Sequence, residues 1–136
     1  MAASTFTFPY KYKSIQEGRI VDPLIFLPLK TKFGWQNTWF LLDSGADTTM
    51  LTLRLAKEWG LYYNSLLRTQ LVGIGEKKSY AYFGKINIRV GEAEFRVRCY
   101  FIDAEDSTLL LGRLDVFDKF NISFDSANKQ IVFKQI

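Results

Sequence analysis

Histidine is absent from the 136 residues of this chain, and cysteine occurs once, at Cys99. Without histidine, a single chain cannot form a Ser-His-Asp triad, a Cys-His pair or a histidine-ligated metal site. One cysteine excludes an intrachain disulfide and a zinc ribbon. Any acid–base chemistry therefore falls to Asp, Glu, Lys or Tyr, and we expect neither a metal nor another cofactor.

Long apolar runs are also missing. The longest apolar stretches, such as residues 23–29, fall far short of the roughly 20 residues that a membrane-spanning helix needs. The N-terminus has no basic region followed by an apolar core, so we expect no secretory signal. Together with one free cysteine, this predicts a reducing, cytoplasmic setting without membrane contact.

Runs of basic residues are lacking too, although the formal net charge is +4. A small basic β-barrel could bind single-stranded nucleic acid, and Arg96, Arg98 and Tyr100 on one strand face could contact it. The scattered charges favour an ordinary solvated surface instead. We therefore expect no nucleic-acid partner.

Short segments typical of β-strands make up most of what is present. They cover residues 24–27, 35–42, 70–74, 80–83, 86–90, 95–101, 109–111, 122–124 and 131–133. Pro28 suggests that the first of them is kinked or at a sheet edge. Apolar and polar residues alternate in the two strands on either side of Gly91-Glu92, which is predicted to be the turn between them. Cys99 is one of the alternating apolar positions, so we expect it to be buried and inert.

One helix is predicted over residues 51–59, with Leu51, Leu55 and Trp59 on one face. Thr49 or Thr52 can cap its start, and Gly60 fits its end. A helical turn can follow over residues 114–119. The three tryptophans are expected in the core. Together, these predicted strands and helices indicate a mostly β domain over residues 23–136, a closed or half-closed barrel with one or two short helices. Residues 1–22 show no clear period and read as an arm or a strand that pairs with something else.

The segment Phe40-Leu41-Leu42-Asp43-Ser44-Gly45-Ala46-Asp47 carries the chemistry. An apolar strand delivers the Asp43 carboxylate into a turn of small residues, where Ser44 offers a hydroxyl and Gly45 allows close backbone approach. Taken alone, the tripeptide Asp43-Ser44-Gly45 is also typical of an Asx-turn that merely ends a strand.

Two later motifs favour a catalytic role for Asp43 over a simple turn. One is Leu109-Leu110-Leu111-Gly112-Arg113, and the other is Gly73-Ile74-Gly75, in a predicted hairpin that lies between the Asp43 segment and Leu109. In this order, over residues 24–124, the motifs resemble those of the retropepsin-like aspartic proteases, single-domain relatives of pepsin. The resemblance implies a retropepsin-like barrel with one lobe per chain, and a peptide or protein as substrate.

The resemblance also implies a role for each matching residue. Asp43 is similar to the catalytic aspartate, and Ser44 to the residue that braces the two catalytic loops across a dimer. Gly45 would contact the substrate backbone, and Asp47 would bind substrate main chain and pair with Arg113. The remaining positions follow the same pattern: Gly73, Ile74 and Gly75 as a flap over substrate, and Leu110, Leu111, Gly112 and Arg113 as support beneath the catalytic loop.

The sequence departs from the family pattern at Leu114-Asp115 and in the charged flap residues Glu76, Lys77 and Lys78.

The Asp43-Ser44-Gly45-Ala46 motif occurs only once in the chain, whereas the chemistry needs two carboxylates, one ionised and one protonated. We therefore predict a homodimeric aspartic endopeptidase with a two-fold axis between the two Asp43 side chains. The alternative is a module that kept the fold and binds peptide or dimerises without turnover.

Overall fold

The computed structural model of the chain describes residues 4–72, 78–104 and 108–136. These ranges are mostly β. The strands are β1 (Thr5–Pro9), β2 (Lys11–Ile15), β3 (Gly18–Asp22), β4 (Leu24–Thr31), β5 (Gly34–Leu42), β6 (Thr49–Thr52), β7 (Tyr62–Val72), β8 (Lys78–Val90), β9 (Ala93–Ile102), β10 (Leu110–Leu111), β11 (Phe120–Asp125) and β12 (Gln130–Gln135). One helix, α1 (Leu53–Trp59), follows β6, and an irregular helical turn spans Arg113–Phe117.

The main sheet closes into a barrel. Its order is β4-β5-β10-β6-β9-β8, and a pairing between β4 and β8 at Leu29 and Ile88 closes the circle. β7 extends the sheet beyond β8. The neighbours β5–β10 and β6–β9 run parallel, and the others antiparallel. The expected mostly β barrel is confirmed.

Alternating side chains fill the barrel. In β8 and β9 the buried positions follow period two, as the sequence predicts for half-buried strands. The largest fully buried side chains are Phe40, Phe101, Phe133, Ile25, Leu27 and Leu29. Cys99 is buried among them, and burial raises the pKa of its thiol well above the ordinary value. Its predicted burial is therefore confirmed.

The segment before β4 is paired rather than loose. β1 pairs antiparallel with β12, and β12 also pairs with β11, so the first and last strands of the chain share one three-stranded sheet. β2 and β3 form a separate hairpin. Backbone hydrogen bonding explains the difference from a loose arm, because β1 satisfies its donors and acceptors along β12. Pairing with a second copy stays a prediction.

The helix begins two residues later than the expected residue 51. Leu51 lies in β6 and pairs with Phe101 of β9, so strand pairing overrides the helical spacing at this position. Thr52 caps the helix, its hydroxyl accepting from the Leu55 N–H at 3.2 Å. Gly60 ends it with a left-handed φ of 64°.

Two further expectations differ from the structure. The strand predicted over residues 24–27 continues past Pro28 to Thr31 as β4. β8 pairs with β4 at only one position, so Pro28 lies in a strand with one largely unpaired edge, as the sequence indicates. Trp39 is not in the core: it is 44% exposed and stacks on Phe26. Trp39 lies between the buried Thr38 and Phe40 in β5, so its side chain is on the outer face of the strand.

Within the described ranges, no helix has the length and apolarity that crossing a bilayer requires.

Candidate active site

Asp43 directly follows β5, the strand that delivers it. The Asp43 N–H donates to the Leu111 carbonyl at 3.0 Å, and the Asp43 carbonyl accepts from the Ala46 N–H at 3.1 Å. The Gly45 N–H donates to Asp43 Oδ1 at 2.9 Å, which fixes the direction of the carboxylate. Asp43 is half-buried, whereas Ser44 and Gly45 are exposed at the tip of the loop. The carboxylate is thus oriented by the backbone and open to a partner or ligand.

β10 lies beside β5 and supports this loop. Leu110 and Leu111 are in register with Leu41 and Leu42, and the Leu41 N–H donates to the Leu109 carbonyl at 2.8 Å. The two chain segments then continue together. The Arg113 N–H donates to the Ala46 carbonyl, and the Leu114 N–H to the Asp47 carbonyl, both at 2.9 Å. The residues after Asp43 are therefore held along their backbone by the segment after β10.

Gly112 lies where the two segments cross. A Cβ atom at this position would collide with the backbone of Thr48. The Gly112 N–H donates to the Thr49 hydroxyl at 3.1 Å, and Thr49 is fully buried. From the sequence alone, Thr49 is only a candidate helix cap, because nothing in its local spacing reveals a partner 63 residues away.

Asp47 and Arg113 form an ion pair on the surface, with Arg113 Nη2 donating to Asp47 Oδ1. Both side chains are largely exposed. They line one side of an open cavity of about 420 Å³, together with Leu114, Phe117 and Asp118. The structure therefore brings Asp43, Ser44, Gly45, Asp47, Gly112 and Arg113 into one region. Gly73, Ile74 and Gly75 lie outside the described residues.

A second charged pair holds the turn after Arg113. Asp115 adopts a left-handed φ of 65° and accepts from Arg98 in a forked arrangement, at 2.9 Å from Nε and 3.0 Å from Nη2. The Arg98 N–H also donates to Asp115 Oδ2 at 2.9 Å. Hydrogen bonding from Arg98 lowers the pKa of Asp115. Asp115 lies where the sequence departs from the family motif, and its neighbours in the sequence give no sign of this role.

The arrangement supplies one oriented carboxylate per chain. No group of three or more Asp, Glu or Cys side chains in the described ranges is placed to hold a metal ion. One carboxylate can act as a general base or, when protonated, as a general acid, but it cannot do both at the same time. A single Asp43 carboxylate therefore supplies only one of these two protonation states at a time.

Comparison with known proteins places this geometry in a family. A family model described as aspartyl protease matches residues 29–113, which include every site residue named from the sequence. The crystal structure of a retropepsin-like aspartic protease from Rickettsia conorii is similar, with a TM-score of 0.61, 18% identity, and coverage of 98% of this chain and 92% of that chain. The retroviral protease-like domain of Ddi1 from Leishmania major gives a TM-score of 0.51 at 17% identity, covering 81% of this chain and 93% of that chain.

No curated protein matches the sequence. At these identities the two structural likenesses show the fold, which is retropepsin-like. The family model carries the assignment further, since it spans more than half of the chain and includes both the Asp43 loop and the strand beneath it. The chain therefore belongs to the aspartyl protease family.

Proposed function

We propose that this protein is an aspartic endopeptidase that works as a homodimer, with one Asp43 from each chain. The observation that carries the proposal is the Asp43 carboxylate itself, oriented by the Gly45 N–H at the end of β5 and present once per chain. A two-fold axis beside Asp43 would supply the second carboxylate. Two carboxyl groups about 3 Å apart cannot both ionise, so one of them keeps a proton.

The proposed reaction uses both protonation states. The ionised carboxylate takes a proton from water while the water oxygen attacks the carbonyl carbon of the scissile peptide bond. The protonated carboxyl donates to the carbonyl oxygen, giving a tetrahedral adduct. The C–N bond then breaks as the carboxyl that took the proton from water gives it to the leaving nitrogen, while the other carboxylate takes a proton from a hydroxyl of the adduct, which becomes the carboxylic acid product. The dyad returns to its singly protonated state.

The proposed substrate is an extended peptide that binds through its backbone, like an added strand. The exposed Asp47 side chain and the backbone at Gly45 are available for such contacts on one side. On the other side, the flap role of Gly73, Ile74 and Gly75 remains a prediction, as do the bracing role of Ser44 and the cytoplasmic location.

Replacement of Asp43 by asparagine tests the proposal. Asp43→Asn keeps the shape and an acceptor for the Gly45 N–H but removes the ionisable group, so cleavage of a peptide library should fall at least about a thousandfold. Thermal unfolding should change little. Glu92→Gln, at the exposed turn between β8 and β9, is the matched control and should cleave like the wild type.

Two results would contradict the proposal. Cleavage by Asp43→Asn at the wild-type rate would remove Asp43 from the chemistry. A wild-type protein that dimerises and binds peptide but never cleaves it would instead be a binding module that kept the family fold.

A further inference from the structure

A cavity on the outer side of the barrel is lined by three lysines, and we call it the three-lysine cavity. Its volume is about 290 Å³, and its lining includes Lys30, Lys32 and Lys85. None of its lining residues is acidic. The cavity beside Asp47 differs, because that carboxylate and the one of Asp118 belong to its lining. The three-lysine cavity therefore concentrates charge of one sign.

The three lysines come from different parts of the sheet. Lys30 belongs to β4, Lys32 to the turn that follows β4, and Lys85 to β8. β4 and β8 are neighbours through the pairing of Leu29 with Ile88. Among the described residues, none of the three lysines forms an ion pair. Because like charges repel, an anion between these ammonium groups would stabilise the arrangement.

The position of Lys32 is fixed by the fold. The Thr31 hydroxyl accepts from the Phe33 N–H at 3.0 Å, which shapes the turn. The Lys32 N–H donates to the Trp59 carbonyl at the end of α1 at 2.9 Å. Gly60 leaves room for the lysine stem, since a Cβ there would lie 3.1 Å from Lys32 Cδ. A ligand therefore meets a lysine whose backbone and stem are already placed, which lowers the entropy lost on binding.

Two further lining residues suit an anionic ligand. Asn87 is half-buried in the lining, and its side-chain amide can donate to an anion. Tyr62 of β7 is in register with Lys85 and is 60% exposed. Its ring is a surface beside the lysines on which a planar group can stack.

We infer that the three-lysine cavity binds an oligophosphate group, either inorganic or the terminal phosphates of a nucleotide. Ammonium groups bind phosphate oxygens as point charges, and a chain of phosphates carries several negative charges to meet them. The volume lies at the lower end of the range for small-molecule sites, so a small ligand suits it.

The cavity is remote from the candidate active site. β5 has nine residues, so its two ends are about 30 Å apart at about 3.3 Å per residue. Asp43 follows one end, and the turn with Lys32 precedes the other. The inference therefore goes beyond the proposed function and does not depend on it.

The test measures binding of inorganic triphosphate by isothermal titration calorimetry. The buffer contains no magnesium, and its ionic strength is about 0.15 M, so that weak surface attraction is screened. In the double variant Lys32→Gln and Lys85→Gln, the dissociation constant should be at least about tenfold higher than in the wild type, because two charged donors are lost. If this variant does not fold, Lys85→Gln alone is measured in the same way.

The double variant Lys13→Gln and Lys134→Gln is the matched control. It removes the same net charge from two exposed positions outside the cavity, on β2 and β12, and should leave the dissociation constant unchanged. Three results would overturn the inference: no binding by the wild type, an unchanged constant in the cavity variants, or an equal rise in the control.

A second titration with ATP identifies the source of the phosphates. Equal constants for triphosphate and ATP would indicate that phosphate alone is bound. Tighter binding of ATP that is lost in Tyr62→Leu would indicate a nucleotide whose base stacks on Tyr62. Both results support the inference. Tighter binding of single-stranded DNA than of either, weakened equally in the cavity variants and the control, would show a general basic surface and overturn it.

Asp43→Asn separates this inference from the proposed function. Its Asp43 replacement lies at the other end of β5, so it should bind triphosphate like the wild type. Failure of triphosphate binding would leave the proposed peptide cleavage untouched. Cleavage by Asp43→Asn would overturn the proposed function and leave a measured triphosphate constant in place.

Discussion

Gly112 shows how a single residue without a side chain allows the candidate site to form. The backbone of Thr48 occupies the space that its Cβ would need, so the segment after β10 can lie directly against the loop after Asp43. The contact is backbone to backbone, and neither partner can move aside as a flexible side chain could. A methyl group at this position must therefore separate the two segments that hold Asp43.

We predict that Gly112→Ala destabilises the protein by about 1–3 kcal/mol, the usual range for forcing an extra methyl group into a packed region. Urea unfolding would measure the change. Gly45→Ala is the comparison, since a Cβ there lies 3.1 Å from Asp43 Oδ1, at the end of a side chain that can adjust. Equal losses of stability in the two variants would show that the crossing at Gly112 is not the tight point.

The role of Asp43 could be predicted from the sequence and the contact of Thr49 could not, because only local patterns can be recognised along the chain. Asp43 lies in a local pattern of apolar strand and small-residue turn, which can be recognised along the chain. The hydrogen bond from Gly112 to the Thr49 hydroxyl joins residues far apart in sequence, and only the packed fold reveals it. Asp115 is a similar case, because its partner Arg98 is on another strand.

Between elements, the Arg98–Asp115 pair fastens β9 to the turn over Arg113–Phe117. The Asp115 side chain is 12% exposed and that of Arg98 is 49% exposed, so the pair is partly screened by water. Its forked geometry and the additional bond from the Arg98 N–H make it more than a loose surface contact. The turn it holds begins at Arg113, which also pairs with Asp47.

We predict that this pair makes stability depend on pH in the acid range. Arg98 lowers the pKa of Asp115 in the folded state, so its contribution is fully present above the unfolded pKa of about 4 and is lost as pH falls through the folded value. Asp115→Asn should cost about 1–2 kcal/mol at neutral pH. Asparagine also tolerates the left-handed backbone.

Urea unfolding at several pH values would check this dependence. The difference between the wild type and Asp115→Asn should begin to shrink as pH falls below about 4 and should be smallest below the lowered folded pKa, where Asp115 of the folded wild type is protonated as well. Asp103→Asn, at an exposed carboxylate, is the control and should show little difference. A gap that stays constant down to the lowest pH would contradict the role of charge in this pair.

The strands could be predicted because alternation is a local signal, and β5, β8, β9, β11 and β12 lie close to where it indicates. The start of α1 could not, because Leu51 fits both a helical stripe and a strand, and pairing with β9 and β10 decides between them. Trp39 was misplaced for a related reason. An aromatic residue in a strand predicts burial only when the packed face of that strand is known.

As a whole molecule, the proposed enzyme is divided between two identical chains. Each chain holds one oriented carboxylate, and the proposed reaction needs two. On this proposal a single copy has no complete site and should show no activity. Mixing active and inactive copies can test this division directly.

We predict that mixing wild-type and Asp43→Asn chains in equal amounts lowers activity to about one quarter of that of the same total amount of wild type, since random pairing leaves about one dimer in four with both carboxylates. The mixture is measured above the dimer dissociation constant, after exchange of subunits. Mixed dimers made with the Glu92→Gln variant should keep full activity. A value near one half would instead mean that each wild-type chain acts alone.

The pairing of β1 with β12 has a consequence for synthesis. β12 is the middle strand of the three-stranded sheet but leaves the ribosome more than a hundred residues after β1, and the Gln135 N–H donates to the Ser4 carbonyl at 2.9 Å. During translation, β1 therefore waits without its neighbour while more than a hundred residues are added. The barrel can close on its own strands in the meantime, whereas the pairing of β1 with β12 must form late, across a loop of more than a hundred residues.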